Sequence, residues 1–325
     1  MKKIILFSLA GIMLILLFGC SRRPAAPESA TIRVAALRGP TALGLLRLMD
    51  QQERGDTING YSFQLLGSPE EIPPLLIRGE VDVAAVPGNL AAVLNNRMDG
   101  EVQALAVVTL GVLHIVDTTG DVRSVSDLVG RTIFLGGQGA TPEFALNYVL
   151  TQNGLTPGVD VYVEFRAEHA EIAALLETGQ AEVALLPEPF VSTVLGRMDN
   201  LRLALDLTEE WNRVQPEYGL VMSVVIATRD FLKRNPEAVE VLMKEYAESI
   251  EFMTTNISEG ARLAVDFGLI PSVGIAESAI PRTNIVFLTG EEMRQNLMGF
   301  YGVLFDAEPA SIGGGLPEKD FFFLP

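Results

Sequence analysis

The chain has 325 residues, 48% hydrophobic and 20% charged, enough to bury a sizeable core and too much for one small domain, so two lobes are expected. The formal net charge is −17, two units more negative once Lys2 and Lys3 leave with a leader, which argues against nucleic acid as a partner through plain repulsion. An anionic small ligand stays open, because local dipoles can outweigh the net charge at one site.

The first twenty residues pair a basic "MKK" with the apolar run "IILFSLAGIMLILLFGC", a secretion signal rather than a membrane span. Cys20 is the only cysteine and stands where the apolar run ends, in "LFGC". By analogy with lipid-anchor signals it is the expected lipidation site, with Phe18 bulkier than usual at its position. The polar "SRRPAAPESA", 21–30, then reads as a tether. With Cys20 used as an anchor, the folded part keeps no thiol for a disulfide or a cysteine metal site.

From Thr31 onward strands and helices alternate. "TIRVAALRGPTALGLLRLMDQQ" predicts a strand, a Gly-Pro turn and a helix whose first turn holds Pro40 and Thr41. "YSFQLL" predicts a strand, "PEEIPPLLIRG" a helix, and "VDVAAV" a strand ending at Pro87. Three apolar strands alternating with helices indicate a parallel sheet. The order then recurs as "GRTIFLGGQGATPEFALNYVLTQNG", "VDVYVEF", "EHAEIAALLETGQ" and "AEVALL", the last ending at Pro187. Shifting the chain by one hundred residues without gaps superimposes Glu71, Ile72, Leu75, Leu76, Gly79, Val83, Ala84 and Pro87 on identical residues. Whether duplication or convergence produced it, the consequence is two similar α/β lobes.

Two long strand candidates, "EVQALAVVTLGVLHIVD" (101–117) and "YGLVMSVVIATRDF" (218–231), read as crossings from the first lobe to the second and back. The remaining segments are helical and expected on the first lobe, with Leu242, Met243, Tyr246, Ile250 and Met253 as a core stripe. The expected organisation is a leader at 1–20, a tether at 21–30, first-lobe segments at 31–110 and 222–325, and a second lobe at 111–221.

In open α/β sheets ligands bind beyond the carboxyl ends of the strands. Two corners per lobe lie there: "RGPTA" and "VPGN" in the first, "GGQGATPE" and "LPEPF" in the second. Glycines in the 136–141 turn permit close approach of the backbone to a ligand, and Thr141 is placed to cap the helix and still offer a hydroxyl. The turn lacks the Gly-Lys-Ser/Thr ending of a phosphate loop and the spacing of a dinucleotide fingerprint. Glu188, between two prolines after a buried strand, is placed to accept from an amine-like donor, or else to complement its own helix start. Asn89 would be a neutral reader. The candidate ligand-binding set is Gly39, Pro40, Thr41, Asn89, Thr109, Gly137, Gln138, Gly139, Ala140, Thr141, Glu188, Trp211 and Met222. Trp211 serves either as a stacking surface or as packing. No catalytic residue, cofactor or metal ligand is expected. His114 reads as a satisfied structural histidine, His169 as a solvated cap, and Glu209/Glu210 as helix-start charges.

These features resemble the type II periplasmic binding proteins of ABC importers, in the sulfonate/nitrate/taurine/thiamine-pyrimidine group. The resemblance rests on "LFGC", "VRSVSDLVGRTIFLGGQGATPEFALNYVLTQNGL", "ALLETGQAEVALLPEPFVSTVL" and "DFLKRNPEAVEVLMKEYAESIEF", which together run over most of the mature chain. It implies an α/β fold of two lobes, each a mostly parallel sheet flanked by helices, joined by two hinge crossings. It also implies a monomeric, lipid-anchored extracytoplasmic receptor that closes on a small polar, anionic or heteroaromatic solute and delivers it to an ABC permease and its ATPase. The first-lobe "LRGPTALGL" matches no ligand-specific pattern of the group, and the cysteine-rich motif of thiamine-pyrimidine synthases is missing. Two other readings stand beside it: an enzyme on the same fold in thiamine- or menaquinone-type precursor synthesis, and an extracellular sensor subunit.

Overall fold

The computed structural model describes residues 31–324; the leader, Cys20 and the tether lie outside the described residues. In chain order the first βα units are β1 (Ile32–Leu37), α1 (Pro40–Leu43), α2 (Leu46–Arg54), β2 (Tyr61–Leu66), α3 (Ile72–Ile77), β3 (Val83–Pro87) and α4 (Gly88–Arg97). After β4 (Val102–Leu110) and β5 (Leu113–Asp117) come β6 (Thr132–Gly136), α5 (Thr141–Gln152), β7 (Tyr162–Arg166), α6 (His169–Glu177), β8 (Val183–Pro187) and α7 (Phe190–Leu195). The chain continues through β9 (Arg202–Asp206), α8 (Leu207–Val214), β10 (Val221–Thr228), α9 (Arg229–Arg234), α10 (Pro236–Thr255), α11 (Ile257–Asp266), α12 (Val273–Ala279), β11 (Ile285–Leu288) and α13 (Gly290–Ala307).

The strands form two sheets, one ordered β11-β4-β10-β3-β1-β2 and the other β7-β6-β8-β5-β9. The βαβ halves are parallel, as the alternation predicts: β1 lies beside β2 and β3, and β6 beside β7 and β8. Each sheet becomes mixed because β10 runs antiparallel to β3 in the first and β5 antiparallel to β8 in the second.

The long run 101–117 splits at Gly111 and Val112, with β4 ending in the first sheet and β5 starting the second. A Cβ on Gly111 would stand 2.2 Å from Thr208 Oγ1, so only glycine permits α8 to lie against this link. The run 218–231 contradicts the expected crossing strand. Its β10 lies wholly inside the first sheet, between β3 and β4, and the return passes instead through residues 207–220. Strands β9, RLALD, and β11, IVFL, are short and lie at sheet edges, and they are not assigned from sequence.

The helix predicted from Pro40 onward is broken at Gly44. Ser249, from α10, donates to the Gly44 carbonyl at 2.6 Å and accepts from Leu48 N–H at 3.1 Å. Those two groups would have bonded each other in an unbroken helix, so the inserted hydroxyl splits α1 from α2.

Alternation along the strands divides the interior into layers. Val34, Ala36, Val83, Ala85 and Val225 face the helices α2, α10 and α11, where Leu242, Tyr246, Ile250 and Met253 are buried and Met243 packs at the margin. Ala35, Ala84, Val86 and Ile226 face the other way, into a cluster that also takes in Leu113, Ile115, Leu135 and Leu185 of the second sheet. The two lobes therefore share one continuous apolar layer on this side. Phe134, Ala184 and Leu186 close a smaller cluster under α6 and α7.

Candidate functional site

The carboxyl ends of β1, β3, β6 and β8 converge on a cavity of about 400 Å³ between the two sheets. Five of its lining residues, Pro40, Pro69, Pro87, Pro142 and Pro187, are prolines and bring no backbone N–H. The first-lobe wall carries Arg38, Gly39, Thr41, Met222 and Ser223; the second-lobe wall carries Gly137, Ala140, Glu168, His169 and Phe190. Thr41 Oγ1 and Ser223 Oγ stand 2.9 Å apart and are both buried, so between them they hold one hydroxyl hydrogen in their mutual bond and keep the other for a ligand. Gly39, at φ 113°, bends the chain toward Phe190, whose ring would lie 3.6 Å from a Cβ placed there.

Of the residues predicted from sequence, Gly39, Pro40, Thr41, Gly137, Ala140 and Met222 line this cavity. The others lie elsewhere. Thr141 is fully buried and does not cap α5: the N-cap is Ala140, and the Thr141 hydroxyl donates to Asn89 Oδ1 at 3.1 Å and accepts from Asn89 N–H at 3.3 Å. Asn89 also donates to the carbonyls of Gly139 and Ser311, both at 3.0 Å. Asn89 and Thr141 thus spend their polar groups on joining the lobes. The Gly139 N–H donates to Glu143 at 2.6 Å, and Gln138 is outside the cavity lining. Thr109 is fully buried in β4, its hydroxyl without a hydrogen-bond partner among the described residues.

Glu188 is fully buried and accepts from Arg282 Nε at 2.8 Å and from Ser192 N–H at 3.1 Å, while Arg282 Nη2 donates to Ser192 Oγ at 2.6 Å. The carboxylate at the second corner is therefore engaged by a cation from the turn after α12. The first corner holds glycine because a Cβ on Gly88 would stand 2.6 Å from the Val221 carbonyl oxygen and 3.2 Å from the Phe300 ring. Trp211 is fully buried, donating from Nε1 to the Tyr218 carbonyl at 2.9 Å and packed between Tyr148 and Phe300. It is core rather than a stacking surface for a ligand.

Both histidines depart from expectation. His114 is buried with neither ring nitrogen hydrogen-bonded among the described residues, its Nδ1 3.8 Å from Asp206; burial lowers its pKa, against the opposing pull of Asp206 and Glu188. His169 is no solvated cap. Its ring tilts against Phe190 at a centroid distance of 5.0 Å, a Cβ on Gly136 would meet it at 2.8 Å, and its Nδ1 is enclosed without a partner among the described residues. That burial pushes its pKa from 6.5 down to about 4. Because the folded form resists protonation, the stability contribution is complete above pH 6.5 and lost as the pH falls toward about 4. Chemical denaturation across this window should show the wild type losing stability faster than His169→Gln. Parallel curves would mean the imidazole titrates normally.

Arg38, Ser223, Glu168, His169 and Phe190 were not singled out as cavity residues from sequence. Arg38 alone carried a signal, as a cation one residue before the Gly-Pro turn; Ser223 reaches Thr41 across 182 positions, and no local pattern announces that.

Two sheets of like topology around one central cavity define a two-lobed α/β fold. Residues 61–221 match the family model described as ABC transporter, phosphonate, periplasmic substrate-binding protein. In fold the chain is similar to an ABC transporter protein from Parabacteroides distasonis, with TM-score 0.73 and 24% identity over 91% of this chain and 98% of that one. It is also similar to the aliphatic sulphonate binding protein SsuA of Escherichia coli (TM-score 0.71, 14% identity, 92% and 93% covered). The alkanesulfonate-binding protein SsuA of Xanthomonas axonopodis pv. citri, bound to MOPS, gives TM-score 0.69 and 16% identity with 87% and 94% covered. No curated protein matches. Over residues 61–221 the chain matches a periplasmic substrate-binding protein family of ABC transporters, and its fold is shared with binding proteins of that kind. Among the described residues no helix is long and apolar enough to cross a membrane.

Proposed function

We propose that the protein captures a small polar or anionic solute in the interlobe cavity and presents it to an ABC permease and its ATPase, held at the membrane surface by a lipid on Cys20. The lobes of this reading are 31–110 with 222–325, and 111–221. The observation that carries it is the cavity itself, about 400 Å³, at the strand ends where two sheets meet, its polar side chains few and drawn from both walls. Gly39, Pro40, Thr41, Gly137, Ala140 and Met222 are the ligand contacts it assigns from the sequence set, and Ser223 joins them through Thr41. Asn89, Thr141 and Glu188 act on binding indirectly, by setting how the lobes meet.

A thermal-shift screen of small oxyanions and their organic derivatives tests the reading, since a solute that binds only the folded form raises apparent stability by mass action. The expected result is a saturable upward shift with at least one of them and no chemical conversion of it. Turnover of the bound compound would favour an enzyme on the same fold.

A further inference from the structure

The two crossings between the lobes meet at one buried imidazole. Gly111 and Val112 carry the chain out to the second sheet, and His114 stands two residues beyond Val112 in β5, 5% exposed and hydrogen-bonded through neither ring nitrogen among the described residues. On one side lies β9, where Asp206 is its partner in register and brings a carboxylate oxygen to 3.8 Å from Nδ1. The same Asp206 caps α8, which opens the return crossing, by accepting from Thr208 N–H at 2.8 Å, and Thr208 is the residue packed on Gly111. On the other side lies β8, where His114 stands opposite Leu186 and therefore on the same sheet face as Glu188, two residues further on.

The charged groups that face this ring all belong to the joint between the lobes. They are Asp206 before α8, Glu209 within it, Glu188 at the corner after β8, and Arg282 from the turn after α12. Packed beside them, α7 adds only the Ser192 hydroxyl, which Arg282 already engages. A neutral ring leaves these arrangements undisturbed. An imidazolium would be a buried cation with two N–H groups and no acceptor in hydrogen-bond range, repelled by the Arg282 guanidinium. The acceptors within reach are in use, so satisfying it means taking Asp206 off the start of the return crossing or Glu188 off Arg282. Burial accordingly lowers the His114 pKa from 6.5 in spite of the surrounding carboxylates. An arrangement that resists a proton is, by linkage, loosened when the proton is taken up.

We propose that His114 is a proton-operated catch on the hinge: with the ring neutral the lobes stay drawn together through Glu188 and Arg282, and proton uptake recruits Asp206 and Glu188 to the ring, frees Arg282 and lets the lobes part. Resting on the solute-binding reading above, the consequence is a receptor that holds its solute near neutral pH and yields it in acid.

Small-angle X-ray scattering of the protein without solute, from about pH 8 to about pH 5, tests this, with circular dichroism on the same samples to show that the chain stays folded. The radius of gyration should rise reversibly as the pH falls below 6.5. His114→Gln, which cannot titrate, should abolish the rise, and His169→Gln should keep it. Asp206→Asn retains a capping side chain but removes the carboxylate that favours the charged ring, so its rise should move to lower pH. A radius that stays constant while the wild type remains folded, or a rise that persists in His114→Gln, overturns the proposal. If His114→Gln does not fold, Asp206→Asn decides: a rise at unchanged or higher pH overturns it. The solute-binding reading survives each of these results, because a thermal shift at one fixed pH does not depend on the catch.

Discussion

Arg282→Ala should cost about 3 to 5 kcal/mol of unfolding free energy, because it leaves a buried carboxylate without its cation. Glu188 has no exposed surface, and its cation reaches it from 94 residues away in the chain. The Arg282 side chain is 44% exposed, so water can partly enter once it is trimmed, and the lower end of that range is the expected value. The reverse change is milder: in Glu188→Gln, Arg282 can turn to solvent while the amide oxygen still accepts from Ser192 N–H. The double variant Arg282→Ala with Glu188→Gln should therefore recover part of the loss, an asymmetry that a double-mutant cycle in urea reads directly. Equal costs for the two single changes would show that the pair is not buried as described. Because Glu188 closes the second sheet's corner while Arg282 follows Ile280 in the first-lobe core, the same change should loosen the approach of the lobes.

The second large effect is at Trp211. Trp211→Ala removes a fully buried indole from between Tyr148 of α5 and Phe300 of α13, and truncations of this kind cost about 3 to 5 kcal/mol. Trp211→Phe keeps most of the ring contact and gives up the bond to the Tyr218 carbonyl, so about 1 kcal/mol is expected beyond the smaller void. As the sole tryptophan it also reports on its surroundings. Its emission should be that of a buried indole and should not be quenched by direct stacking when a solute fills the cavity. Strong quenching by a flat ligand would return Trp211 to the ligand-contact role considered from sequence.

The α/β alternation was legible because its signals are local. Tyr61–Leu66 falls on the predicted "YSFQLL", the strands before Pro87 and Pro187 end at those prolines, and both lobes repeat the same parallel order. The core stripe of α10 was legible for the same reason, from its helical spacing. What was not legible depends on partners distant in the chain. Gly44 ends a helix only because Ser249 enters its hydrogen-bond ladder. Glu188 looks like a free carboxylate until Arg282 is placed against it, and Asn89 and Thr141 look like ligand readers until they are found bonded to each other. At the two corners the surroundings differ too: the Val221 carbonyl leaves no room for a Cβ at Gly88, and Arg282 engages Glu188. His169 misled for the opposite reason. Its position before a helix suggests a solvated cap, and only the glycine beneath it at 136 lets the ring sink into the cavity wall.

The most direct test of the account is a crystal structure of the protein with a solute that stabilises it. The account predicts the solute between Thr41 and Ser223 on one side and Gly137 and Phe190 on the other, with Glu188 still bonded to Arg282. A tightly bound solute located outside this cavity, or one that displaces Arg282 and takes the Glu188 carboxylate for itself, would contradict it.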